Sequence, residues 1–271
     1  MLNPKIDTSN WKSLPDVAPG VARWTINKQK IPPGYTDVKI NLDKSSYHEM
    51  VGKNKKGKWV YIRSKKHEDK STSTKFKRVL AFGKVYPKLQ KRIDKDADKI
   101  EEAAVLRLID KTAFRIGSEA DTGAEKKAYG ASTLHREHVK VKGSEIKFDF
   151  GSKRSGHMVK VVSDRELAAD IKRRILRGGK LFDTTDGKVR NYLRSIPYGD
   201  GFKVHDFRTF IATSVAIDMI KGMPKPKNKS EYKKFRNEVG DKVAEVLGDT
   251  RTVALGSYIA PDVFGVWEKW V

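Results

Sequence analysis

HVKVKGSEIKFDFGSKRSGHMVKVV, residues 138–162, breaks the helical periodicity that surrounds it. Val139 and Val141 alternate with polar neighbours. Ile146, Phe148 and Phe150 repeat the pattern, and a third run holds Met158, Val159, Val161 and Val162. Alternation of this kind is the mark of a half-buried strand. KGSE and GSKRSG supply the turn residues between the runs. The stretch predicts a three-stranded antiparallel sheet with Lys153 at the tip of its second turn.

On its C-terminal side the chain turns helical. DRELAADIKRRIL, with Asp164 near its start, and KVRNYLRSI are amphipathic. DFRTFIATSVAIDMI is almost continuously apolar and predicts a helix buried on most faces, with Asp206 as its N-cap. After the proline-rich, basic connector GMPKPKNKS comes a long helix in SEYKKFRNEVGDKVAEVLG, with Ser230 as N-cap. Phe235, Val239, Val243, Val246 and Leu247 line one side of it. On the N-terminal side of the sheet, KIEEAAVLRLIDKTAFRIG presents Ile100, Ala104, Val105, Leu108 and Ile109 on one face, with Gly117 as its stop. Phe76, Val79, Leu80 and Gly83 fall at helical spacing.

The first ninety residues differ in character. WTINKQK, DVKINLD and KWVYIRS read as strands, IPPGYTD as a rigid turn and GKNKKGK as a basic hairpin loop. Residues 63–75 are polar throughout and predict an exposed segment. The boundary is expected between 80 and 98, in KRIDKDADK. The expected fold class is α+β: a small β-rich N-terminal domain, 1–90, and a mainly helical C-terminal domain, 91–271, with a small antiparallel sheet.

Charge narrows the partners. The chain has 57 Lys and Arg against 34 Asp and Glu, a formal charge of +23, while its 38% hydrophobic content suffices for a core. Duplex nucleic acid is the first candidate, because phosphates bind such surfaces by releasing counterions. No stretch is long enough to span a bilayer, and MLNPKIDTSNW lacks the basic-then-apolar layout of a secretory signal. The absence of cysteine excludes disulfides, thiolate metal sites and a cysteine nucleophile. There is no HExxH, GxGxxG or GxxxxGK[ST], so neither a metal, a nucleotide nor any other cofactor is expected. The expected location is cytoplasmic and nucleoid-associated.

Five features carry chemistry if the partner is DNA. Arg115 ends a mainly apolar helix; it either meets an anion or pairs with Glu119 or another acid. Lys153 is either a solvated turn lysine or a mobile cation that reaches a groove. His205 and Arg208, three apart, can share one side of a helix. Asp249 and Tyr258 lie in LGDTRTVALGSYIAPDVFGVW, residues 247–267. Alone, Tyr258 reads as a core residue. Together the five suit attack of a tyrosine hydroxyl on a phosphodiester. Two arginines would stabilise the charge on the non-bridging oxygens, and a lysine would protonate the leaving 5′ oxygen.

Those motifs resemble the type IB DNA topoisomerases, in particular the compact poxvirus and bacterial forms. The resemblance runs from about residue 24 to 265. IPPGYTDV, GKNKKGKWVYIRS and KFKRVLAFGKVYPKL resemble the family's DNA-clamping domain. RIGSE with YGASTLHREHV, FDFGSKRSGH, HDFRTF and LGDTRTVALGSYIAP follow in the family's order. The resemblance implies the catalytic core shared by tyrosine recombinases and type IB topoisomerases. It implies a metal-independent and ATP-independent enzyme that closes on duplex DNA as a monomeric clamp, in a cellular or viral setting. Arg115 and Arg208 then match the phosphate-clamping arginines, Lys153 the general acid and Tyr258 the nucleophile. Tyr129 matches a backbone-contacting tyrosine. Lys53, Lys55, Lys56, Lys58, Tyr61, Arg63 and Arg154 become DNA-binding candidates.

Two positions depart from the family. Asp249 stands where it has histidine or asparagine, and an ionised carboxylate can donate no hydrogen bond to a phosphate oxygen. His205 stands where the topoisomerases have lysine, giving the HxxR spacing of tyrosine recombinases. A recombinase or integrase is therefore the alternative. Against it stand the clamp-like N-terminal half and the want of a helix for exchange in trans after Tyr258. A non-catalytic DNA-binding relative is the third possibility, and Asp249 is its one support.

Overall fold

A computed structural model describes residues 6–17, 21–119, 127–152 and 156–270. It is a mixed α+β architecture whose contacts divide into two compact units, Met1–Phe76 and Lys77–Val271. The division falls inside one continuous helix, α1 (Lys65–Asp96), and not in the run KRIDKDADK that suggested a boundary between 80 and 98. The polar segment 63–75 contains no glycine or proline, so nothing in it opposes helix. Ser64 starts α1, accepting from the backbone N–H of His67 and Glu68 and pairing through its hydroxyl with His67 Nδ1 at 2.6 Å.

The first unit is β-rich. β1 (Lys12–Ser13), β4 (Thr36–Ile40), β5 (His48–Lys53) and β6 (Trp59–Arg63) form an antiparallel sheet in the order β1-β4-β5-β6. β2 (Arg23–Trp24) and β3 (Lys30–Ile31) form a separate pair. Ile31, Val38, Ile40 and Met50 are its core. HEMVGK is a strand that the sequence leaves unmarked, because Glu49 interrupts its apolar run. Glu49 is fully buried and neutralises that cost by accepting from Thr25 Oγ1 at 2.5 Å and Asn27 Nδ2 at 2.8 Å. The basic loop after β5 is shaped by Asn54, whose Oδ1 accepts from the N–H of Lys56 at 2.9 Å and of Lys58 at 3.1 Å.

The second unit is built around α2 (Glu101–Thr112), which is buried on most of its surface. The expected sheet forms beside it as β7 (Val139–Lys142), β8 (Glu145–Ser152) and β9 (Gly156–Ser163), in the order β7-β8-β9. Phe148 and Phe150 of β8 pack edge-on against Phe114. On β9 the inward set is Met158 with Lys160, while Val159 and Val161 are exposed. The other α-helices among the described residues are α3 (Arg165–Arg177), α4 (Asp186–Ser195), α5 (Val204–Lys221), α6 (Lys229–Leu247) and α7 (Arg251–Ser257), and after Tyr258, where the sequence suggested no further helix, Pro261–Trp270 form a kinked 3-10 segment. Ala212 and Ala216 of α5 and Val239 and Val243 of α6 share a second core that also holds Tyr258, Phe264 and Trp267. Among the described residues no helix is long and apolar enough to cross a membrane.

Three helix termini differ from expectation. Asp164 does cap α3, accepting from Leu167 N at 2.9 Å. The cap of α6, however, is Asn228 and not Ser230: its Oδ1 accepts from Glu231 N at 2.9 Å, and Glu231 reaches back to Lys227 N at 2.7 Å. Asp206 sits one turn inside α5, where its carboxylate accepts from the N–H of Lys203 at 2.8 Å. α2 stops at Ala113, whose φ is +56°, before Gly117 is reached. Gly117 serves a different purpose. Segments 115–117 and 130–132 run in contact, and a Cβ on Gly130 would lie 2.4 Å from Gly117 N, so only glycine fits.

Candidate active site

Arg115 lies just past the end of α2. Its carbonyl accepts from Ala131 N at 2.8 Å and the next carbonyl, of Ile116, from Ser132 N at 2.8 Å. The Gly117–Gly130 approach therefore fixes where Arg115 leaves the backbone. Arg208 comes from the first half of α5 and is 2% exposed. It donates to the carbonyls of Ala113 and of Leu247, the latter at 2.7 Å, so it bolts the end of α2 to the end of α6.

Asp249 follows Gly248, whose φ of +60° ends α6 with its N–H on Ala244 O and Glu245 O. The Asp249 Oδ2 accepts from Arg115 Nη2 at 2.9 Å and from Arg208 Nη2 at 2.5 Å. Of the acids that could pair with Arg115, the partner is thus Asp249; Glu119 pairs with Lys180 instead. The carboxylate of Asp249 thus anchors two basic residues at once. Its Oδ1 and the Nε of Arg208 are buried and have no hydrogen-bond partner among the described residues.

Tyr258 closes α7 as its C-cap and is 2% exposed. Its N–H donates to Ala254 O at 3.0 Å and its carbonyl accepts from Thr213 Oγ1 at 3.1 Å. The phenol ring is surrounded by cations: the guanidinium carbons of Arg208 and Arg115 lie 5.0 Å and 5.7 Å from its centroid. The ring of His205, exposed in the first turn of α5, lies 5.2 Å away. Tyr258 is thus a core tyrosine whose ring stands beside both arginines and His205. Arg115, Arg208, His205, Asp249 and Tyr258, spread over 144 positions of sequence, meet at one place.

Tyr129 joins them at the rim. It lines a small cleft together with Arg115, Arg208, Ser152, Met158 and Gly248, and its ring leans on His138 at 4.2 Å. Lys153 and Arg154 lie outside the described residues; the paired strand ends that flank them are Ser152 and Gly156. The basic candidates of the first unit occupy β5, β6 and the loop between them. Lys55, Lys56, Lys58 and Arg63 are exposed, Lys53 pairs with Asp37 at 2.8 Å, and Tyr61 lies beside His48.

Two supporting residues escaped the sequence reading. Arg78 of α1 forks onto the fully buried Asp206, at 2.7 Å through Nε and 2.8 Å through Nη2, which fixes the first turn of α5 on which His205 and Arg208 stand. Lys160 of β9 donates to Val246 O at 2.6 Å, at the C-terminus of α6. Burial, and then the charge of Arg208, push its amine down to about 8. The signal for Lys160 was its phase: it alternates with Met158 on the inward side of the strand. No cluster of three or more metal-ligating side chains occurs among the described residues.

Comparison with known proteins gives the chain its family. Residues 63–258 match the family model described as the eukaryotic DNA topoisomerase I catalytic core, and the chain belongs to that family. The match ends on Tyr258 itself. Among curated proteins it is similar to DNA topoisomerase 1B of Acanthamoeba polyphaga mimivirus, with 27% identity over 259 residues, 86% of this chain and 76% of the viral protein.

Proposed function

We propose that this protein is a type IB topoisomerase that relaxes supercoiled duplex DNA without ATP, on the core fold that this family shares with the tyrosine recombinases. The Tyr258 hydroxyl attacks the scissile phosphodiester, forms a 3′-phosphotyrosyl bond and expels the 5′ oxygen. Lys153 delivers the proton that this leaving oxygen needs. Arg115 and Arg208 hold the non-bridging oxygens and offset the charge they gain in the transition state. The free strand end then rotates, and the 5′ hydroxyl reverses the reaction. The phosphotyrosyl bond conserves the energy of the broken one, which is why no nucleotide is consumed. The observation that carries this reading is the convergence of Arg115, Arg208 and His205 on the single buried ring of Tyr258. Tyr129 at the site rim and the basic hairpin of the first unit, with Lys53, Lys55, Lys56, Lys58, Tyr61 and Arg63, supply the DNA contacts.

The test is relaxation of a supercoiled plasmid with EDTA present and ATP absent. Wild type relaxes it, and denaturant traps a DNA strand joined to the protein at its 3′ end. Tyr258→Phe keeps the ring and its packing, so it still binds duplex DNA but neither relaxes it nor forms the adduct. A 5′ adduct, or relaxation by the phenylalanine variant, refutes the assignment. One observation favours a second reading: His205 lies against Tyr258 with the HxxR spacing of tyrosine recombinases. A protein that sediments as a monomer on DNA and yields topoisomers without strand exchange excludes it.

A further inference from the structure

The carboxylate of Asp249 sits between Arg115 and Arg208. Its Oδ2 takes a hydrogen bond from each of the two guanidiniums, and its side chain is 1% exposed. An anionic oxygen that takes one N–H from each of two guanidiniums is held as an oxygen of a phosphodiester can be held. The other bonds of Arg208 go to neutral carbonyls, so among the described residues Asp249 is the anion paired with both arginines. Among the described residues, Asp249 Oδ1 and Arg208 Nε are buried without a hydrogen-bond partner.

We propose that Asp249 is a resident counter-ion that occupies the phosphate seat of the free protein and is displaced by the substrate. The proposal rests on the assignment of Arg115 and Arg208 as phosphate-binding groups. In the free protein a guanidinium as buried as that of Arg208 is costly without an anion, and Asp249 removes that cost. In the complex the phosphodiester takes over both arginines. The carboxylate then faces an anion of its own sign and opposes the charge that accumulates in the transition state. Its backbone is held by the bond from Asp249 N to Ala244 O at 3.0 Å, so exchange needs rotation of the side chain alone. One charge therefore acts in opposite directions on the two states: it stabilises the free fold and slows the reaction.

Asp249→Asn separates these effects, because it keeps the shape and removes the charge. Without ligand the variant melts lower than wild type, by roughly 5 °C or more. Inorganic phosphate, which can fill the seat, recovers most of that deficit while moving the wild type little. Single-turnover cleavage of a duplex by the variant is faster than by wild type, by on the order of tenfold. An equal response of both proteins to phosphate overturns the proposal. So does a folded variant that cleaves more slowly than wild type, since Asp249 would then be needed to aim the arginines. A variant that stays unfolded at every phosphate concentration overturns it too. Should the wild type form no adduct with DNA, the topoisomerase reading fails, but the melting series still decides the counter-ion.

Discussion

At the scale of the residue, Tyr258 and Arg208 each combine an observed packing role with a proposed chemical one. Tyr258 is a buried core side chain, and that burial excludes water from a ring set between two guanidiniums. Arg208 is a structural bolt between α2 and α6 as well as a proposed oxygen clamp. Lys153 is the residue whose role rests on motif alone, so its test must isolate proton donation from phosphate binding. Lys153→Ala slows cleavage of ordinary duplex DNA by roughly 10²-fold or more. A substrate with sulfur in place of the bridging 5′ oxygen needs no proton on its leaving group, and with it most of the loss is restored. Equal defects on the two substrates assign Lys153 to binding only.

At the scale of the element, the loop from α6 to α7 is held from three sides. Lys160 binds the Val246 carbonyl, Arg208 binds the Leu247 carbonyl, and Met158 packs so closely under Gly248 that a Cβ there would lie 2.1 Å from its methyl carbon. This fastening connects the sheet to the loop that carries Asp249 and leads into the helix ending at Tyr258. The lowered amine of Lys160 makes it visible to pH. A lysine whose folded value is depressed adds stability above its unfolded value, near 10.5, and loses it as pH falls through its folded value, about 8. Lys160→Met removes this dependence. Thermal melts between pH 7 and 10.5 should therefore show the wild type gaining on the variant as pH rises, by on the order of 1–3 kcal/mol across the window. Parallel profiles would show that the amine is not perturbed by its surroundings.

At the scale of the whole molecule, a formal charge of +23 governs association more than shape. Binding to duplex DNA should weaken linearly on a log–log plot against salt, with a slope of several units. Removing Lys55, Lys56 and Lys58 together, all exposed on a loop shaped by Asn54, should reduce that slope by up to about one unit per lysine. It should leave the melting temperature nearly unchanged, because none of the three is buried. An unaltered slope moves the phosphate contacts off this loop.

Strand alternation in 138–162 and the buried character of α5 were both legible in the linear chain. Each is carried by local periodicity or by residue type at short spacing, which neighbouring residues alone set. So was the mixed α+β class. Other features depended on contacts between distant segments. HEMVGK hid as a strand because Glu49 is satisfied by Thr25 and Asn27, some twenty positions away. Ser230 and Asp206 had the chemistry of caps, but the start of a helix is settled by which backbone N–H each side chain reaches, and Asn228 and the first turn of α5 decided otherwise. Arg78 and Lys160 looked like two of 57 basic residues until Asp206 and Val246 were placed beside them. The sequence could show that Asp249 was unusual and that Arg115 wanted an anion. Only the fold, by bringing positions 115 and 208 within hydrogen-bond reach of 249, showed that Asp249 is the partner of both arginines, because the pairing of charges is a property of distance in space and not of spacing along the chain.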